Sequence, residues 1–163
     1  YKGLDMLLVA LSKAELKKMN VKLLLAGEFY GDEGYYQKLI EKYQLQDRIY
    51  LHTSFIPNDA VGKYFCAADA VILPYRSATQ SGITQVAYHY DVPMIVTRVG
   101  GLPELVHDQV VGLVVEPNTE EIAKGIIAFY QDDKCDRFRE NIKVEKKKYS
   151  WDTFGKEILR LGE

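Results

Sequence analysis

The sequence predicts an α/β domain with a doubly wound, Rossmann-like parallel sheet and helices on both faces. Three observations lead there. Short apolar runs of strand length are closed by glycine or proline, as at Gly27 and Pro74, and near-continuous runs of this kind mark strands buried on both faces. Stretches with apolar residues at helical spacing separate them. The alternation of the two element types makes right-handed crossovers and a parallel sheet. Ligands of doubly wound sheets lie beyond the C-terminal strand ends, so the loops at 27–34, 53–58, 75–82 and 98–103 are the expected site.

The elements follow in order. Leu4, Leu7, Leu8 and Leu11 share one face of a helix expected over residues 4–18. Val21-Lys22-Leu23-Leu24-Leu25-Ala26 is the first strand, stopped by Gly27. Tyr36, Leu39, Ile40 and Tyr43 give a second helical stripe, and Ile49-Tyr50-Leu51 a second strand. Pro57-Asn58-Asp59 starts a third helix, with Val61, Tyr64, Phe65 and Ala68 on its apolar face. Ala70-Val71-Ile72-Leu73-Pro74 is the third strand, and Ile83, Val86, Ala87 and Tyr90 line the helix after it. Met94-Ile95-Val96-Thr97 ends near Gly100-Gly101. Gly112-Leu113-Val114-Val115 is the fifth strand, and a helix begins near Thr119. Two charged helices are expected after it, at about 133–148 and 151–162.

One domain accounts for the length, since 163 residues fall within the ~100–200 typical of a single domain. The formal net charge of −2 gives no bulk attraction for nucleic acid, so no such partner is expected. No apolar run approaches the ~20 residues that cross a bilayer. Two cysteines, Cys66 and Cys135, are too few for a disulfide framework and point to a reducing, cytoplasmic setting. No signal-peptide pattern appears. Tyr1-Lys2-Gly3 leads straight into a helical pattern, and we expect a piece of a longer protein.

Several functions are excluded by what is missing. Gly27, Gly31 and Gly34 have the wrong spacing for G-x-G-x-x-G, and there is no G-x-x-x-x-G-K-[ST], which argues against dinucleotide and P-loop binding. His52, His89 and His107 are scattered, so each reads as a surface or loop residue and no metal site is expected. No serine or cysteine sits in a G-x-S-x-G elbow. A receiver-type signalling domain would need aspartates at the strand ends, and Gly27, Leu51-His52 and Leu73-Pro74 stand there instead.

Three segments resemble the family 4 retaining glycosyltransferases, and together they cover nearly the whole chain. The first is Lys2-Gly3-Leu4-Asp5. The second runs from Asp47-Arg48-Ile49-Tyr50-Leu51 through Phe55-Ile56-Pro57, Tyr64, Ala67-Ala68-Asp69 and Leu73-Pro74 to the stretch from Gly82 to Pro93. The third and most specific is Thr97-Arg98-Val99-Gly100-Gly101-Leu102-Pro103-Glu104, followed by Gly112-Leu113-Val114-Val115 and Pro117. Tyr149-Ser150-Trp151 also matches, with Ser150 able to cap a last helix. The resemblance implies the nucleotide-sugar-binding C-terminal half of a GT-B fold, lacking its N-terminal acceptor domain.

The implied roles attach to particular residues. Lys2 would meet the donor diphosphate, a role its compact ammonium suits; by residue chemistry alone it reads as a solvated lysine. Gly27, Phe55 and Ile56 would contact the donor, the last two through main-chain groups near the base; they read equally well as core. Ser77, Thr79 and Ser81 can cap a helix, and Ser81, Gly82, Ile83, Thr84 and Gln85 would form the donor-binding helix start, where free N–H groups and the helix dipole favour phosphate or sugar oxygens. Glu104 reads as a dipole partner at a helix start. The family also carries two glutamates with seven residues between them, and this sequence departs there: Ala78 or, with a one-residue gap, Thr79 stands at the first position and Val86 at the second. Gln80, with Gln85, is the nearest polar substitute; Gln80 can hydrogen-bond a sugar hydroxyl but cannot act as a carboxylate.

The implied activity is retaining transfer of a hexose-type sugar from a nucleotide diphosphate-sugar to a glycan or lipid acceptor, without metal or other cofactor. The acceptor would come through the missing domain, and a lipid acceptor admits peripheral membrane association of the full-length protein. The alternative is a non-catalytic nucleotide-sugar-binding module.

Overall fold

The computed structural model describes residues 1–29, 31–131, 134–149 and 159–160. It opens with two helices where one was expected. α1 (Leu4–Leu11) ends at Ser12, whose hydroxyl donates to the Val9 carbonyl at 2.7 Å. Lys13 is then extended, at φ −62° and ψ 143°, before α2 (Ala14–Lys18). Apolar spacing carries on to Leu16, which is fully buried, so periodicity alone reads one helix through the break.

Five parallel strands follow. β1 (Leu23–Ala26) pairs with β2 (Ile49–His52), with Leu23 opposite Ile49 and Ala26 opposite His52. β3 (Val71–Leu73), β4 (Met94–Thr97) and β5 (Gly112–Val115) form a second ladder in that order. The single expected sheet is thus two parallel ladders, with no strand pairing between β1 and β3. The connections are α3 (Glu33–Lys42), α4 (Asn58–Ala67), α5 (Gly82–His89) and the short α6 (Leu102–Leu105), and α7 (Thr119–Gln131) and α8 (Lys134–Glu145) come last. Two of these helices have side-chain caps: Asp32 accepts from the Tyr35 N–H, and Asn118 from the Glu121 N–H.

Successive side chains on β4 and β5 enter opposite cores, as the period-2 geometry of a strand requires. Ile95 and Leu113 join Leu7, Leu8 and Leu11 of α1 and Ile122, Ile126 and Phe129 of α7. Met94, Val96 and Val114 join Ala87 and Tyr88 of α5, Leu102 of α6 and Ile142 of α8. Helices therefore cover both faces of this ladder, and the fold is doubly wound.

One expected helix face is corrected, and a second is present but only partly covered. On α5 the buried residues are Thr84, Ala87 and Tyr88, while Ile83 is exposed and Val86 and Tyr90 are half-buried. Thr84 can face inward because its hydroxyl donates to the Ser81 carbonyl at 2.7 Å, which satisfies a buried polar group locally. On α4 no residue is fully buried: Val61, Tyr64, Phe65 and Ala68 are only half covered. Of the helix expected at 151–162, only residues 159–160 are described, and they are helical; Ser150 and Trp151 lie outside the described residues.

Candidate functional site

A cleft of about 1380 Å³ runs along the seam between β1 and β3. Residues 23–26 form one wall and residues 71–74 the other. Set side by side, the two ladders read 2-1-3-4-5, and the crossover direction reverses at this seam. Doubly wound sheets bind ligands at that switch point, beyond the strands' C-terminal ends. At that end the cleft is lined by Lys2, Gly27, Phe55, Ile56, Tyr75 and Ile83. Five of the residues picked out from sequence are thus brought together: Lys2, Gly27, Phe55, Ile56 and Ile83.

Lys2 is held there by its neighbours. Gly3 has φ +66°, and a Cβ on it would stand 1.9 Å from the Pro74 carbonyl oxygen, so only glycine allows the start of α1 to close on the end of β3. The Arg76 N–H donates to the Tyr1 carbonyl at 2.8 Å. The Arg76 guanidinium pairs with Asp5 at 2.5 Å, and the rings of Tyr1 and Tyr75 meet edge-on. Lys2 itself is exposed and makes no ion pair among the described residues. Lys22, the other lysine on the cleft, is committed to the Asp47 carbonyl at 2.8 Å.

The start of α5 is built differently from the expectation. Thr84 is fully buried, and both its hydroxyl and its N–H donate to the Ser81 carbonyl, at 2.7 and 3.1 Å. It presents nothing to a ligand. Ser81, the N-cap, is nearly buried, with its hydroxyl 3.3 Å from that of Tyr75. The N–H groups of Gly82 and Ile83 have no acceptor among the described residues, and a Cβ on Gly82 would meet nothing within 4 Å. Ile83 reaches the cleft wall; Gln80 and Gln85 are exposed but do not line it.

The string from Thr97 to Glu104 braces this loop. Gly100 has φ +49°, and a Cβ there would lie 1.5 Å from the Ala78 carbonyl oxygen. The Gly101 N–H donates to the Thr79 carbonyl at 3.0 Å, and the buried Thr97 hydroxyl donates to the Tyr75 carbonyl at 2.6 Å. Glu104 is exposed in the first turn of α6 without an ion-pair partner among the described residues, as a dipole partner would be.

Sequence reasoning passed over part of the wall. His52, read as a surface or loop histidine, is exposed, and at the end of β2 it also lines the cleft, with Nδ1 2.6 Å from the Tyr64 hydroxyl. Phe29 and Tyr36 stack at 5.2 Å on the same wall. The available signal was position: His52 closes a strand at the sheet edge where ligands lie. At the far end of the cleft, burial and the neighbouring Asp69 push Tyr130 up to about 12, which keeps it neutral as it donates to Asp69 at 3.2 Å. Among the described residues no group of three or more His, Cys, Asp or Glu is placed to hold a metal ion. No described helix is long and apolar enough to cross a membrane.

The family described as Glycosyl transferases group 1 matches residues 1–132. An uncharacterized glycosyltransferase of Methanocaldococcus jannaschii is 30% identical over 167 residues, covering 98% of this chain and 41% of its own length. The D-inositol 3-phosphate glycosyltransferase of Segniliparus rotundus is 32% identical over 119 residues, 71% of this chain and 26% of that protein. Among solved structures, Anabaena HepE in complex with UDP superposes with a TM-score of 0.81 at 19% identity, over 99% of this chain and 45% of that one. The C-terminal domain of LpcC from Francisella tularensis superposes with a TM-score of 0.78 at 22% identity, over 92% of this chain and 80% of that domain. The chain spans less than half the length of the curated relatives it matches, and its fold is that of the C-terminal half of GT-B glycosyltransferases.

Proposed function

The chain belongs to the group 1 glycosyl transferases, and we propose that it is the donor-binding half of a retaining enzyme that moves a hexose-type sugar from a nucleotide diphosphate-sugar to a glycan or lipid acceptor. The observation that carries this reading is the meeting of an unpaired Lys2 with Gly27, Phe55 and Ile56 in one cleft at the switch point. HepE, of the same fold, was crystallised with UDP and with UDP-glucose.

Transfer leaves negative charge on the departing diphosphate. Lys2 and the free N–H groups of Gly82 and Ile83 would stabilise that charge, and groups fixed before reaction do so without reorganising. No metal is assigned a part. Gln80 would hydrogen-bond a hydroxyl of the transferred sugar. The acceptor, and shielding of the reaction from water, would come from an N-terminal domain, so the 163-residue chain alone is expected to show no transfer. We assign the enzyme to the cytoplasm.

Calorimetry with nucleoside diphosphates and their sugars, with and without EDTA, tests the reading. Binding should survive EDTA, and Lys2→Ala should weaken it by about 1–2 kcal/mol, the scale of one charge-assisted hydrogen bond. Binding abolished by EDTA, or unchanged by the substitution, would refute it. The non-catalytic module is favoured by Ala78, Thr79 and Val86 standing where the family has glutamates. A full-length protein that binds donor but turns over neither transfer nor donor hydrolysis would establish that second reading.

A further inference from the structure

The ligand end of the cleft has two chemically different sides. One side holds Lys2 and borders the start of α5. The side built by β2 and α4 contributes His52, Phe55, Ile56, Val61, Tyr64 and Phe65 to the lining and no cation. If the diphosphate lies on the first side, as the proposed function has it, the planar nucleobase falls to the second. Phe55 is 68% exposed there, an open aromatic face for stacking.

On that side one hydrogen bond has a directional consequence. His52 Nδ1 and the Tyr64 hydroxyl are 2.6 Å apart, and their rings meet edge-on at 5.5 Å. The phenolic proton is far more acidic than the N–H of a neutral imidazole, so Tyr64 donates and Nδ1 accepts. A neutral imidazole carries one proton, and the partner at one nitrogen decides which nitrogen holds it. Tyr64 therefore fixes the Nε2–H tautomer, and no acceptor for Nε2 exists among the described residues. The His52 carbonyl is separately occupied, accepting the Gly27 N–H at 2.9 Å, so the strand end holding the ring is itself anchored.

We propose that His52 is a specificity-determining residue for the donor's base: its Nε2–H, oriented by Tyr64, donates to a nucleobase carbonyl and selects uracil- or guanine-type donors against adenine. Uracil and guanine present carbonyl oxygens; adenine has ring nitrogens and an amino group but no carbonyl. Tyr64 acts through His52 and is a positioning residue. The inference rests on the donor-binding reading.

The test is a ratio of affinities, which general loss of folding does not change. UDP, GDP and ADP are titrated by calorimetry into the protein, its His52→Phe variant and its Tyr64→Phe variant, with thermal melting run on the same samples. The parent is expected to bind UDP or GDP at least about tenfold tighter than ADP, the scale of one or two hydrogen bonds. His52→Phe keeps a ring and the strand's main-chain bonds but lacks the donor, and should bring that ratio close to one. Tyr64→Phe frees the tautomer and should reduce the ratio part of the way; it also serves if His52→Phe fails to fold. A parent that binds ADP as tightly as UDP and GDP, or a folded variant set with the parent's ratio, overturns the assignment of His52 while leaving the donor cleft standing. A parent that binds no nucleoside diphosphate overturns both.

Discussion

β1 is at least as apolar as β4 in sequence, yet the two sit in different surroundings. All four residues of β4 are buried, whereas β1 alternates half-buried and exposed residues and β2 is exposed along most of its length. Among the described residues from Leu23 to Ala67 only Ile40 and Leu45 are buried hydrophobics, and Leu24, Tyr35, Tyr50, Leu51 and Phe55 are exposed. The difference lies in what flanks each strand. β4 has a strand on either side and helices above and below; one side of β1 faces the cleft. An apolar run therefore states that a strand can be buried, and its neighbours decide whether it is.

Substitutions can break or sharpen this contrast. The largest effect is expected from Phe129→Ala, since Phe129 is 1% exposed between α1, α8 and the sheet. It should lower unfolding free energy by about 3–5 kcal/mol in a urea titration. Next comes Arg48→Ala, at about 2–3 kcal/mol. Arg48 donates to the carbonyls of Leu16, Met19 and Val21, at 2.8, 3.0 and 2.9 Å from Nη2, and so ties β2 to the end of α2. Its removal takes that donor from all three, and among the described residues only the Leu16 carbonyl keeps another, the Met19 N–H at 3.1 Å. Arg48→Lys should recover only part, because an ammonium cannot reproduce the guanidinium's fork.

Gly82→Val should cost under about 1 kcal/mol of stability, the rotamer restriction of a β-branched residue in a helix, because its added atoms enter open space. That same space is where donor would lie, so binding measured on the same sample should be lost. A folded variant that binds donor like the parent would place the site elsewhere. The smallest effect is expected from Phe55→Ala, within about 0.5 kcal/mol in stability, as for other exposed positions. A loss of several kcal/mol there would mean that the β1–α4 side is as tightly packed in solution as the β4 side, and the contrast would fail.

Much of this architecture was legible in the sequence. Each strand expected from an apolar run is present within two residues at either end, since length and glycine or proline stops are local signals. The breaks and faces were less legible. Ser12 ends α1 by a hydrogen bond to its own preceding turn, while Leu16 continues the apolar spacing beyond it. Thr84 displaces Ile83 from the buried face because its hydroxyl has a partner three residues back, a fact of geometry rather than of hydropathy. Of the cleft lining, Lys2, Gly27, Phe55 and Ile56 are picked out by family resemblance. His52 is not, because a single histidine has no spacing pattern, and its contact with Tyr64, twelve residues away, is visible only in the fold.

Gly3, wedged beneath the Pro74 carbonyl, has one more consequence, which concerns populations. A lysine on a frayed segment that reached its binding position ~10% of the time would weaken a ligand's apparent affinity about tenfold, with every contact in the complex unchanged. Here the hydrogen bond from Arg76 to Tyr1, the Arg76–Asp5 pair and the seating of Gly3 hold that segment before any ligand arrives. Ordering the backbone that carries the ammonium is thus part of folding rather than of binding. Loosening the segment through Arg76 would lower the fraction of molecules ready to bind, and so slow capture of the donor without hastening its escape.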